Sequence, residues 1–174
     1  MDESVTIKQA DPKIRCYLDI ETTGLSRKNC ELTVIGLAVE RNRALEVIQL
    51  VGHGITDAAL MRSLAGVQEI YTYNGSRFDI PFIREKLRVD LVRQFRCRDL
   101  MRDCWKSDLK GGLKKVEQKL GIERQTKGVD GWMAVQLWWR YINLHDPDSL
   151  EQLLAYNRED VVNLKTLREK LGVE

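Results

Sequence analysis

Apolar and polar positions change period partway along the chain. "IRCYLDIE", "ELTVIGLAVE" and "ALEVIQLVG" are short apolar runs separated by polar residues, the pattern of strands. The polar "RNR" between the second and third suits a hairpin connection, so the three runs predict an antiparallel meander. "DAALMRSLAG", closed by Gly66, predicts a helix, and "QEIYTYN" a fourth strand reached by that crossover and therefore parallel. "DIPFIREKL" predicts a helix with Pro81 in its first turn, where a missing N–H costs little. "FRCRDL" predicts a fifth strand.

From about Asp99 onward the spacing is helical, in "LMRDCWKS", "LKKVEQKLG" and "WMAVQLWWRYI". Trp132, Trp138 and Trp139 share helical spacing with Val135 and Ile142, which predicts a mainly buried stripe. A long last helix is expected from Ser149 to Leu171. Asp148 and Glu151 would form a capping box with Pro147 just before it, and Gly172 would close it. The expected architecture is α/β: a central five-stranded mixed sheet, three antiparallel strands and then parallel ones, flanked by helices.

Composition narrows the setting. A chain of 174 residues suits one domain, expected over 13–174 behind a flexible polar N-terminus over 1–12. No apolar run approaches the roughly 18 residues of a membrane span, which excludes a membrane-spanning class. The opening "MDESVTIKQADPKIR" is acidic and polar where a secretion signal is basic and then apolar, so a cytoplasmic location is expected. Cys16, Cys30, Cys97 and Cys104 contain no CxxC pair, which favours reduced thiols over disulfides or a zinc site. The net charge of +2 conceals a basic middle: residues 84–127 hold 14 Lys and Arg against 7 Asp and Glu. Such a segment is either a solvated helical surface or a footprint for a phosphate backbone.

The chemistry begins at "CYLDIETTGL". In an extended chain, side chains at i and i+2 share a face, so Asp19 and Glu21 would project together and repel unless a cation sits between them. "YNGSRFDIPF" adds Asp79 just past the fourth strand, at the start of a helix, where an N-cap is the plainer reading. "YNRED" places Tyr156 and Asp160 one turn apart on a helix face that continues with Leu164 and Leu167, so both should point inward. A buried hydroxyl bonded to a carboxylate is the plainer reading of that pair.

In this order, "DIETTGL", "YNGSRFDIPF" and "YNREDVVNL" resemble the three exonuclease motifs of the DEDD superfamily of 3′→5′ exonucleases, which have a ribonuclease H-like fold. The Tyr four residues before the last Asp resembles the tyrosine branch. "NGSRFDIP" is similar to a subgroup of predicted ribonuclease H-like proteins and to the proofreading domain of family B DNA polymerases. "LKGGLKKVEQKLGIER" also resembles the predicted subgroup.

The resemblance implies a phosphodiester hydrolase that binds two divalent cations, Mg²⁺ or Mn²⁺, through Asp19, Glu21, Asp79 and Asp160. One cation would generate the attacking hydroxide and the other would stabilise the leaving 3′ oxygen. Asp19 would bridge both ions, Glu21 and Asp160 would hold the nucleophile-side ion, and Asp79 would act mostly through water. Tyr156 would orient the attacking water. Around them, Thr22, Thr23, Gly24 and Leu25 would hold the terminal nucleotide, with Leu25 wedged against its base. Phe78 would stack on a base and Asn74 would meet the sugar. For Leu25 and Phe78 core packing is the competing reading, and for Asn74 a turn.

The expected partner is a nucleic acid with a free 3′ end, single-stranded, DNA or RNA; a protein partner is compatible with the sequence. The main alternative is a nucleic-acid-binding or partner-binding domain that keeps the fold without turnover. A structure-specific endonuclease on the same fold is a third reading, which the "YNRED" spacing disfavours.

Overall fold

The computed structural model describes residues 13–42 and 44–174; the N-terminus expected to be flexible lies outside the described residues. β1 (Arg15–Thr22), β2 (Leu32–Arg41) and β3 (Ala44–Val51) form the antiparallel meander. β4 (Glu69–Thr72) and β5 (Arg96–Asp99) extend it in parallel, in the order β3-β2-β1-β4-β5. This is the five-stranded mixed sheet of a ribonuclease H-like fold. The helices are α1 (Asp57–Ser63), α2 (Asp79–Leu87), α3 (Leu91–Gln94), α4 (Leu100–Lys106), α5 (Leu113–Lys119), α6 (Gly131–Leu144) and α7 (Pro147–Lys170). Among the described residues no helix is long and apolar enough to cross a membrane. All four cysteines are free.

Alternation along β1 sorts its side chains between two layers. Cys16, Leu18 and Ile20 pack with Leu60 of α1, with its C-cap Leu64 and with Ile80, Phe82 and Ile83 of α2. Tyr17 faces the other way, stacking on Tyr71 at 5.6 Å between ring centroids, in a layer with Val161, Leu164 and Leu167 of α7. Asp19 and Glu21 follow Tyr17 onto the α7 side. A third cluster of Val34, Ala134, Leu137, Trp138, Leu153 and Tyr156 locks α6 against α7.

Two features of the sheet make room for a site. Pairing between β1 and β4 ends at Tyr17 and Tyr71, so β1 continues from Leu18 to Thr22 without a strand on that side. Opposite Asp19 in the register of β2 stands Gly36. A Cβ there would lie 2.2 Å from Oδ1 of Asn157, a fully buried residue of α7. Only a bare backbone lets α7 settle this close to the sheet.

Three expectations need correction. α7 begins at Pro147, with Asp146 as its cap accepting the backbone N–H groups of Asp148 (3.2 Å) and Ser149 (3.4 Å). Proline's fixed φ and missing N–H suit the first helical position, so the helix starts two residues before the Asp148–Glu151 pair could box it. Asp79 is not an N-cap: it is the first residue of α2, whose cap, Phe78, makes no side-chain hydrogen bond. Of the tryptophan stripe only Trp138 is core; Trp132, Trp139 and Ile142 are exposed, because α6 covers the sheet only along the line through Ala134, Leu137 and Trp138.

Gly36→Ala should therefore destabilise the protein by about 1–3 kcal/mol, as overpacking does, read from urea unfolding. The cost should shrink when Asn157 is also replaced by Ala, since the clashing amide is then gone. Equal costs in both backgrounds would show that Gly36 matters for another reason.

Candidate active site

Three elements converge where β1 overhangs β4. β1 supplies Asp19 and Glu21, α7 supplies Tyr156 and Asp160, and the first turn of α2 supplies Asp79. Asp19, Glu21 and Asp160 each offer an oxygen, and these lie within 4.8 Å of one another. Asp79 stands outside that trio. Its Oδ1 accepts the Ile20 N–H at 3.1 Å, filling a backbone donor that β4 leaves unpaired. Glu21, Asp79, Tyr156 and Asp160 are buried and Asp19 is partly buried.

Concentrating anions away from water raises the cost of charging them. Burial, and then the neighbouring carboxylates, push Asp19 and Glu21 well above the ordinary carboxylate range. Burial lifts Asp79 to about 7 and Asp160 to about 6, the latter against the pull of Arg124. The phenol of Tyr156 is also pushed up, by burial and then by Asp160 and Glu21, so it keeps its proton and remains a donor.

Asp19 and Asp160 are held from behind. Asn157 donates from Nδ2 to Asp19 Oδ2 (3.1 Å) and to the Asp19 carbonyl (3.4 Å), while its Oδ1 accepts from Gln49 (3.0 Å). Arg124, on the α5–α6 connection, donates to Asp160 Oδ1 (2.5 Å) and from Nη1 to both oxygens of the fully buried Glu117 (2.9 and 2.7 Å). Glu117 also accepts from Asn163 at 3.0 Å. Glu159 accepts from Gln125 and Thr126 and so ties the same connection to α7. Lys114 lies over the Tyr156 ring, 4.6 Å from its centroid, and donates to the Val129 carbonyl.

Every site residue named from the sequence lines one cavity of about 600 Å³, Asp19, Glu21, Thr22, Thr23, Gly24, Leu25, Asn74, Phe78, Asp79, Tyr156 and Asp160 alike. Trp132 and Val135 join its apolar wall. Leu25 is 85% exposed, which removes the core-packing reading for it. Phe78 is intermediate: it packs on Phe82 at 5.6 Å and still reaches the cavity. Asn74 is a turn residue with φ 61° whose N–H is accepted by Asp99. Thr22 donates to the Gly24 carbonyl and Thr23 bonds with Glu31, so both threonines brace the loop.

Sequence reasoning missed Asn157, Gly36, Arg124 and Trp132 as parts of the site. Asn157 carried a signal, a polar residue beside Tyr156 on an inward face; the others meet the site only through the fold. An all-oxygen donor set of clustered carboxylates fits hard divalent cations such as Mg²⁺ or Mn²⁺.

The sequence from residue 16 to 172 matches the RNase_H_2 family of the RNase_H superfamily, and the chain belongs to that superfamily. It is 30% identical over 168 residues to the uncharacterized protein YprB of Bacillus subtilis (strain 168), covering 87% of this chain and 40% of that relative's length. Among solved structures, the family B DNA polymerase of Pyrobaculum calidifontis aligns with a TM-score of 0.68 at 20% identity, over 92% of this chain and 24% of the polymerase. Brucella melitensis NrnC, solved bound to pGG, aligns with a TM-score of 0.59 at 18% identity, over 91% of this chain and 73% of NrnC. At these identities the structural likeness establishes the fold.

The raised carboxylates set a pH dependence. Asp79 and Asp160 are held at about 7 and about 6, against an ordinary 3.8. Raised acids favour the folded state while protonated, so their contribution is complete below pH 3.8 and is lost as pH climbs through 6 to 7. The metal-free protein should lose thermal stability between pH 5 and pH 8. Stabilisation by added Mn²⁺ should grow over the same interval as protons cease to compete. Melting curves at about pH 5, 6.5 and 8, with and without Mn²⁺, check this; a gain from Mn²⁺ that is largest at pH 5 contradicts it.

Proposed function

We propose that the chain is a divalent-metal-dependent 3′→5′ exonuclease of the tyrosine branch of the DEDD superfamily, acting on single-stranded DNA or RNA with a free 3′ end. The observation that carries this reading is the trio of carboxylates within 4.8 Å, with Tyr156 and Asp160 one turn apart on α7 above the overhang of β1. The residues that would hold the cations are Asp19, Glu21 and Asp160, with Asp79 set back. Bound there, divalent cations supply the charge that lets a water ionise near neutral pH and that a leaving 3′ oxygen requires.

This chain's own groups do the rest. Tyr156, protonated and buried at the cavity wall, donates a hydrogen bond that orients the attacking water. Asn157 and Arg124 fix the rotamers of Asp19 and Asp160, as outer partners of ligating carboxylates do. The loop from Thr22 to Leu25, with Phe78 and Asn74, receives the terminal nucleoside in the cavity. NrnC, whose fold aligns here, was solved with pGG and also with Mg²⁺, which is in keeping with such a ligand pair.

A second reading, a nucleic-acid-binding domain without turnover, draws on one observation: Arg124 already delivers a positive charge to Asp160. The two readings separate on a gel. Incubated with Mn²⁺ and 5′-labelled DNA or RNA oligonucleotides, the protein should give a ladder of progressively shorter labelled products that excess EDTA abolishes. Binding without shortening supports the second reading. Immediate release of a labelled mononucleotide, or cutting of a circular strand, contradicts the 3′→5′ assignment.

Asp160→Asn should weaken metal binding and nearly stop turnover, because it removes a charge from the trio. Tyr156→Phe keeps the ring and should leave fold and metal affinity largely intact. Its single-turnover rate should fall by about 10²–10³, the scale of one positioned hydrogen bond in a transition state. Wild-type speed in Tyr156→Phe would make the tyrosine structural.

A further inference from the structure

Beside the main cavity lies a second groove of about 350 Å³ that shares Gly131, Tyr156 and Asp160 with it. The two hollows therefore adjoin at Tyr156 and Asp160, and their walls differ in kind. The larger is walled by Leu25 and by Phe78 and Trp132, aromatic faces on which a base can stack. The smaller is edged by Lys114 and Lys115. We propose that this groove is the track for the backbone phosphates of the strand 5′ to the cleaved linkage. The proposal rests on the exonuclease reading and adds to it which way the strand leaves the site.

Charge and space both support this assignment. Elsewhere in the basic middle, among the described residues, eight side chains pair with carboxylates, among them Lys106 with Asp103, Lys110 with Asp108 and Arg124 with Glu117, and the four that do not, Arg88, Arg102, Lys119 and Lys127, line neither hollow. Neither Lys114 nor Lys115 has a carboxylate within 4.0 Å among the described residues. A Cβ added at Gly112 or Gly131 would meet nothing within 4 Å, so bare backbone and open room face the lysines. Asp130 is the groove's own acid besides Asp160, and its carboxylate accepts the Met133 N–H at 2.8 Å as the cap of α6. Lys115 is exposed, whereas Lys114 leans over Tyr156. A phosphate on this pair would sit one step from the ring that orients the water.

The test compares substrates that differ in upstream phosphates. A dinucleotide with a 5′ hydroxyl has only the scissile phosphate, while an octanucleotide has six more behind it. Lys115→Met should leave the single-turnover rate on the dinucleotide unchanged. It should weaken octanucleotide binding and lower the slope of log K against log salt by about 0.7, the loss of one single-strand phosphate contact. A neutral methylphosphonate, walked along the linkages upstream, should weaken wild type at one position and leave Lys115→Met no weaker there. An unchanged slope, or equal losses on both substrates, would overturn the track while leaving the exonuclease reading in place. A wild-type protein that neither binds nor shortens either substrate overturns both.

Discussion

Mutual repulsion among buried carboxylates is the constraint around which this protein is arranged. Two like charges 4 Å apart repel by about 4 kcal/mol at an effective dielectric constant of 20, and here three acids lie within 4.8 Å with a fourth behind them. A fold of ordinary stability can hold such a group only by offsetting the charge. Protons do part of this, as the raised values of all four acids record. Arg124 and Lys114 do another part from one side. The cavity leaves the other side open to cations from solution.

Holding the acids in place falls to groups that are themselves neutral or already paired. Asn157 bridges α7 to β1, and its type is constrained from both ends. Aspartate there would bring another negative charge to Asp19, and leucine would leave both Asp19 oxygens and the Gln49 amide without that partner. Gly36 is the other half of the same arrangement, because any side chain on β2 at that register would lift Asn157 off the sheet. A glycine in one strand and an amide in a distant helix thus serve one carboxylate in a third element.

Some of this was legible in the sequence and some was not. Strand period, the i, i+2 placement of Asp19 and Glu21 and the i, i+4 placement of Tyr156 and Asp160 are local geometry, and local geometry survives folding. The antiparallel meander and the parallel strands after it followed from those elements, and the residues that line the cavity from the resemblance their motifs carry. What escaped was set by long-range approach: Asn157 and Asp19 are 138 positions apart, and Arg124 and Asp160 are 36 apart. Trp132 escaped for a different reason, since periodicity shows that a stripe of aromatics exists but not how wide a strip of helix the sheet covers. The start of α7 escaped because Asp146 and Asp148 both have the right chemistry for a cap, and the position of Pro147 decides between them.

Arg124 raises the question whether a resident cation forecloses a metal. It engages Oδ1 of Asp160, and Oδ2 accepts no hydrogen bond among the described residues. A carboxylate offers about four lone-pair sites, so the guanidinium and a metal ion can share it. Arg124 is also bound through Nη1 to both oxygens of Glu117 and lies 3.4 Å from Glu159, so its charge is matched before Asp160 is considered. What reaches the trio is orientation as well as charge: a planar fork, anchored on a buried acid, that sets one carboxylate's angle. Asp19 and Glu21, which accept no hydrogen bond from Arg124, keep the all-oxygen, negatively charged character that suits a hard divalent cation.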